Sequence, residues 1–300
     1  MRAMINLQAM LFVLLFVGVA ARKKGIISED GRKSLSSLII KVILPFNIAK
    51  SFCIEWSNEI LKKSALVLVV AVIAQIGYVL LSKVLYRRQS EDKRVVLQYA
   101  TICSNAGFMG NPIVEAVYGS EGLLYASVAL IPLRVAMWSS GLSLFTRADG
   151  KKMLRSVLLH PCMIAVYIGF FLMAAPVTLP DCVMQTIQSI ACCNTAISMI
   201  VIGAILAEMK WKEIFDPYLF YYSFIRLIGI PLVVFAVLRL AGIGGMVTGV
   251  TVLLAAMPAG STTVLLADTY GKNSTYASAS VFVSTILSLF TLPLISGLLL

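Results

Sequence analysis

Ten apolar runs of membrane-spanning length, joined by nine loops of at most 13 residues, leave this 300-residue chain little room for anything but helices in a bilayer. The runs are Ile5 to Ala21, Leu35 to Phe52, Ser64 to Val84, Val95 to Tyr118, Leu123 to Phe145, Val157 to Ala175, Val183 to Ala207, Tyr218 to Leu240, Met246 to Ala267 and Tyr276 to Leu300. A membrane helix needs about 20 apolar residues, because the hydrocarbon core is about 30 Å thick. The runs are too long and too uniform for barrel strands, which alternate over about ten residues. Charged residues make up only 13% of the chain against 59% hydrophobic ones, so polar groups could not cover the apolar surface of a soluble enzyme. The expected fold class is an all-α polytopic membrane protein with ten transmembrane helices.

The first run follows Arg2 and ends in Val19-Ala20-Ala21, as a cleavable leader does. Arg22, Lys23 and Lys24 follow at once and read as a cytoplasmic stop, so the run is expected to be a retained helix. Lys and Arg divide unevenly between the loops. The odd-numbered loops hold 16 of them and the even-numbered loops only Lys62 and Lys63. Positive charge marks the cytoplasmic side, which puts both termini outside the cell membrane. The net charge of +11 is then a topology signal and a contact with anionic lipid, not a nucleic-acid footprint.

No cofactor or metal is expected. The six cysteines lack zinc-ligand spacing, and the single histidine, His160, has no partner ligand. The cysteines read as small buried hydrophobes, with little to argue that Cys53 and Cys182 pair on the outer side. No phosphate-binding loop points to ATP, and no nucleophile or acid–base pair near a head-group boundary points to an enzyme.

Short loops force neighbouring helices to alternate in direction. Five is odd, so two copies of a five-helix unit, residues 1–145 and 157–300 with a cytoplasmic linker at 146–156, would lie inverted to each other. Inverted repeats of this kind bind substrate where discontinuous helices meet near the midplane. The fourth and ninth runs, equivalent in this scheme, are both interrupted. The fourth reads Ile102-Cys-Ser-Asn-Ala-Gly-Phe-Met-Gly-Asn-Pro-Ile-Val-Glu115, and the ninth Ala255-Ala-Met-Pro-Ala-Gly-Ser-Thr-Thr-Val264.

Proline removes a helix donor and glycine eases unwinding, and broken backbone at membrane depth must be buried in protein or line a cavity. Asn111 before Pro112 suits a helix restart, the first as cap and the second in the first turn. Ser261 or Thr262 suits the same role in the ninth run. Two half-helix N-termini, each carrying about half a positive charge, then converge on one place and suit a small anion. Pro45, Pro132, Pro161, Pro231 and Pro293 are expected to make only kinks.

At these residues the chain resembles the auxin efflux carrier family, which includes plant auxin exporters and bacterial permeases often assigned to malate or malonate. The resemblance covers essentially the whole chain. It rests on Leu44-Pro45, Ser104-Asn-Ala-Gly-Phe-Met-Gly-Asn-Pro112, Tyr118-Gly-Ser-Glu-Gly122, Ile197 to Ala204, and Ala255-Ala-Met-Pro258 through Thr269-Tyr270. The seventh run lacks the proline that the family places near Ala196. The resemblance implies ten helices in two inverted repeats, NhaA-like or bile-acid-transporter-like, with crossing helices four and nine. Helices one, two, six and seven would form a dimerising scaffold, and helices three to five and eight to ten a moving unit. Asn105, Pro112 and Pro258 would be the crossing residues, with the substrate carboxylate nearby.

Ionisable groups at membrane depth cost at least about 2.5 kcal/mol each. Arg134, 11 residues into its run, either helps hold a carboxylate or pairs with Glu115 or with freed carbonyls. Arg226 is close enough to a run end to snorkel and reads as structural, and Lys41 is shallower still. Glu115 is a candidate for carrying a coupling proton, or a first-turn residue favoured by the helix dipole. Asp268 reads as solvated.

The expected function is a secondary carrier for a small organic anion, held by Asn105, Asn111, Pro112, Pro258, Ser261, Thr262 and Thr263 with Arg134 as counter-ion. Proton or sodium coupling and a homodimer are the accompanying expectations. An ion channel and a non-transport membrane protein are the alternatives; saturable flux separates the first from a carrier, and the second would not require two broken polar helices.

Overall fold

A computed structural model describes residues 2–53, 57–146, 155, 158–174, 179–207 and 214–299. The apolar runs fold as helices: α1 (Arg2–Lys23), α2 (Glu29–Phe52), α3 (Asn58–Leu85), α4 (Glu91–Ile102), α5 (Ala106–Leu144), α6 (Pro161–Ala174), α7 (Asp181–Ala207), α8 (Pro217–Leu240), α9 (Gly245–Ala255), α10 (Thr262–Thr269) and α11 (Ser274–Leu299). Six of them, α2, α3, α5, α7, α8 and α11, are long and apolar enough to cross a membrane. The fourth and ninth runs yield no such helix of their own because each is broken, at Cys103–Asn105 and at 256–261. The second half of the fourth run joins the fifth in α5, divided at Gly119, whose φ of 66° and ψ of −159° suit glycine.

Several helices begin earlier than the apolar runs do. Ser28 accepts from the Gly31 N–H (3.0 Å) to cap α2, with Glu29 and Asp30 in its first turn, and Ser57 accepts from the Ile60 N–H (3.1 Å) to cap α3. These polar first turns are stabilised by caps and by the helix dipole, and so escape a search for apolar residues. Pro161 opens α6 instead of kinking it, a position where its missing N–H costs nothing.

Three other prolines leave a shared mark. π turns at Ile39–Ile43, Ala106–Gly110 and Ile225–Gly229 each end two residues before a proline, at Pro45, Pro112 and Pro231. Proline cannot donate to the carbonyl four residues back, and widening the preceding turn accommodates the ring without ending the helix.

The helices pack in two groups. α1 lies along α7, and α2 packs on α6 and α7; α3, α4, α5, α8, α9, α10 and α11 pack among themselves. The groups meet where α2 and α7 lie against α5 and where α1 and α7 lie against α11. Three of the six cysteines are exposed rather than buried, Cys182, Cys192 and Cys193, as an apolar thiol facing lipid can be, and Cys53 and Cys182 are both free. Most of the 146–156 segment, Lys210, Lys212 and the side chain of Asp268 lie outside the described residues.

Candidate functional site

The two helix breaks cross each other directly. Ser104 and Ala259 form an isolated antiparallel bridge. The Asn105 N–H donates to the Pro258 carbonyl (2.8 Å), and the Gly260 N–H to the Cys103 carbonyl (3.2 Å). Glycine at 260 eases this close approach, because a Cβ there would stand 3.1 Å from the Cys103 oxygen and 3.2 Å from that of Ser104, and the backbone would have to give by a few tenths of an ångström.

Backbone freed at membrane depth must find partners, and neighbouring side chains supply the rest. Gln75 Nε2 donates to the Ile102 carbonyl (3.0 Å), Tyr222 Oη to that of Ala100 (3.1 Å), and Arg226 Nε to that of Met257 (3.1 Å). Ser284 Oγ accepts the Ala259 N–H (3.1 Å). The crossing is thus a hydrogen-bonded unit with donors from α3 and α8 and an acceptor from α11.

Beside it lies a cavity of about 320 Å³. Asn105, Ser261, Thr262 and Arg134 line it, joined by Lys41, Tyr99, Ser104, Trp138 and His160. Among the described lining residues are a lysine, an arginine and a histidine, but no carboxylate. Arg134 is 7% exposed; its Nη1 donates to the Ser127 carbonyl at 3.3 Å, and the Cys162 thiol lies beside it. Asn105 is 2% exposed, and its Nδ2 donor has no partner among the described residues. An unmade bond of this kind costs about 1–3 kcal/mol when the group is buried. The starts of the π turn at Ala106 and of α10 at Thr262 add partial positive charge at the same wall.

The remaining sequence candidates lie elsewhere. Asn111, Pro112, Pro258 and Thr263 are buried and do not line this cavity. Asn111 is not the expected cap: helical backbone resumes at Ala106, so residue 111 already has helical angles (φ −56°, ψ −51°). Its two amide atoms and Thr263 Oγ1 have no partner among the described residues. Glu115 does not meet Arg134; it pairs with Lys50 Nζ of α2 at 3.0 Å and accepts from Asn47 Nδ2 at 3.5 Å. Arg226 does not snorkel, being 1% exposed, because its guanidinium is drawn to the carbonyl end of α9 and lies 5.3 Å from the Tyr78 ring centroid.

Tyr99, Trp138 and His160 also line the cavity, and no local sequence pattern marks them as lining residues. His160 was legible only as a metal ligand without partners, and the aromatics look like any packing residue of a membrane helix.

Crossed broken helices inside an apolar helical bundle define a class, the multi-span membrane transporters. A match to the family model described as membrane transport protein runs over residues 3–296, and the chain belongs to that family, the auxin efflux carriers. Similar proteins include an uncharacterized transporter of Methanothermobacter thermautotrophicus, 28% identical over 94% of both chains. Another is an uncharacterized transporter of Methanocaldococcus jannaschii, 24% identical over 94% of both. The uncharacterized transporter YfdV of Escherichia coli is 23% identical over 95% of this chain and 94% of its own.

Proposed function

We propose that this protein is a secondary active carrier for a small organic anion, with a carboxylate as the group held beside the crossing. The observation that carries this reading is a buried cationic wall with no counter-charge: Arg134 and the free Asn105 donor face a cavity whose described lining holds no acid. A guest that brings the missing negative charge is the simplest way to satisfy both.

In this reading the chain makes ten spans in two inverted repeats, residues 1–145 and 157–300, in the plasma membrane with both termini outside. The packing of α1, α2, α6 and α7 as one group supports a scaffold, through which the protein would form a homodimer. The other group would move against it to expose one site to each side in turn. Positive-inside orientation places His160 and the C-terminal end of α5 toward the cytoplasm, so the cavity opens inward. Lys50 with Glu115, and Ser51 with Ser127 (3.3 Å between hydroxyls), close the outer half.

Counterflow of mono- and dicarboxylates in proteoliposomes tests the reading, run at two pH values with and without sodium to detect a coupled ion. Saturable exchange of at least one carboxylate is expected. Failure of every organic anion to exchange defeats the reading, and flux that does not saturate makes the protein a channel.

A further inference from the structure

His160 stands directly before α6, in the α1, α2, α6 and α7 group, yet lines the same cavity as Arg134 and Asn105 of the other group. Its ring is fixed in one tautomer. The Cys162 backbone N–H donates to Nδ1 (3.3 Å), capping the first turn of α6. The proton of the neutral ring therefore sits on Nε2. The Trp138 ring, with its centroid 6.1 Å away, packs beside it. No acceptor takes the Nε2 proton among the described residues. A donor left free in a cavity with cationic walls suits an anionic oxygen, to which its hydrogen bond is strongest.

The donors around the cavity thus come from both packing groups. Asn105, Arg134, Ser261 and Thr262 belong to the group that holds the crossing and would travel with a guest; Lys41 and His160 belong to the other and would stay behind. Resting on the carrier reading above, we propose that His160 Nε2–H donates to the bound anion while the site opens toward the cytoplasm, and leaves it when the site turns outward. His160 is then an affinity determinant for one face of the membrane only, and gives the carrier unequal half-saturation on its two sides.

Two variants separate this role from the helix cap. His160→Asn keeps an acceptor for the Cys162 N–H but is too short to place a donor in the cavity, whereas the amide N–H of His160→Gln reaches about as far as Nε2. With butyrate and succinate as probes in vesicles of defined orientation, His160→Asn is expected to raise half-saturation at the cytoplasmic face about tenfold. The outer value should stay unchanged, and His160→Gln should keep a cytoplasmic value near that of the parent protein. Equal shifts on both faces, or none, overturn the proposal.

A second measurement needs no variant. The chain has one histidine, so ¹⁵N-histidine NMR of the unmodified protein reports this ring alone, and its Nε2 resonance should move on titration with the transported carboxylate. A resonance that stays put while counterflow proceeds defeats the His160 assignment and leaves the carrier reading standing. No exchange of any carboxylate removes both.

Discussion

Two arginines flank the same crossing with the same charge, and their surroundings separate them. Arg226 is held: Nε donates to the Met257 carbonyl, just past the carbonyl end of α9, the Tyr78 ring lies 5.3 Å away, and the space beside it is only about 40 Å³. The negative end of a helix dipole is a favourable place for a fixed cation. Arg134 donates to the Ser127 carbonyl at 3.3 Å, has the Cys162 thiol beside it, and faces about 320 Å³. One guanidinium is used to hold unwound backbone together. In the carrier reading, the other is available to a guest in the cavity.

That contrast makes opposite predictions for the same substitution. Arg134→Met should lower carboxylate counterflow about a hundredfold, the scale of a lost buried charge-assisted contact. Its thermal unfolding temperature in detergent should hold or rise, because an uncompensated buried charge has been removed. Near-normal transport by this variant would end the assignment of Arg134 to the anion. Asn105→Ala should follow with a loss of about tenfold in the same assay, since a neutral donor contributes less. Arg226→Met should show the reverse pattern, losing about 2 kcal/mol of stability as the Met257 carbonyl goes unpartnered and a void opens. The folded fraction of Arg226→Met should still bind substrate in a thermal-shift titration, a result that would fail if both arginines served the anion.

The contrast was only half legible in the sequence. Clusters such as Ser104-Asn105 and Gly260-Ser261-Thr262 stand out because an apolar run has no reason to carry them, and they mark where the breaks cross. Which arginine would be free was not legible. Arg226 lies nearer a run end than Arg134 relative to membrane depth, so the snorkelling argument applied, but the carbonyl that captures it belongs to a segment 31 residues away in sequence. Asn111 misled for a related reason. Asn-Pro is a fitting helix start, yet the proline was accommodated by a π turn upstream, which moved the restart back to Ala106. Pairing across the bundle, as between Lys50 and Glu115 at a separation of 65 residues, leaves no local pattern.

The Lys50–Glu115 contact gives the smallest effect and the finest test. It joins α2 of one packing group to α5 of the other, on the side of the crossing where Ser51 meets Ser127. The two side chains are 24% and 26% exposed, so the pair contributes about 1 kcal/mol or less to holding the two groups together. Glu115→Gln should shift the balance between the two facing states no more than about fivefold. The shift is readable as increased labelling of a cysteine placed at Ser127. Lys50→Gln should shift labelling similarly, and the double variant should add little to either single one, because each removes the same contact. Additive effects would mean that the two groups act separately. A coupling role for Glu115 predicts something different: proton-driven uptake would vanish in Glu115→Gln while carboxylate counterflow, which needs no driving ion, continued unchanged.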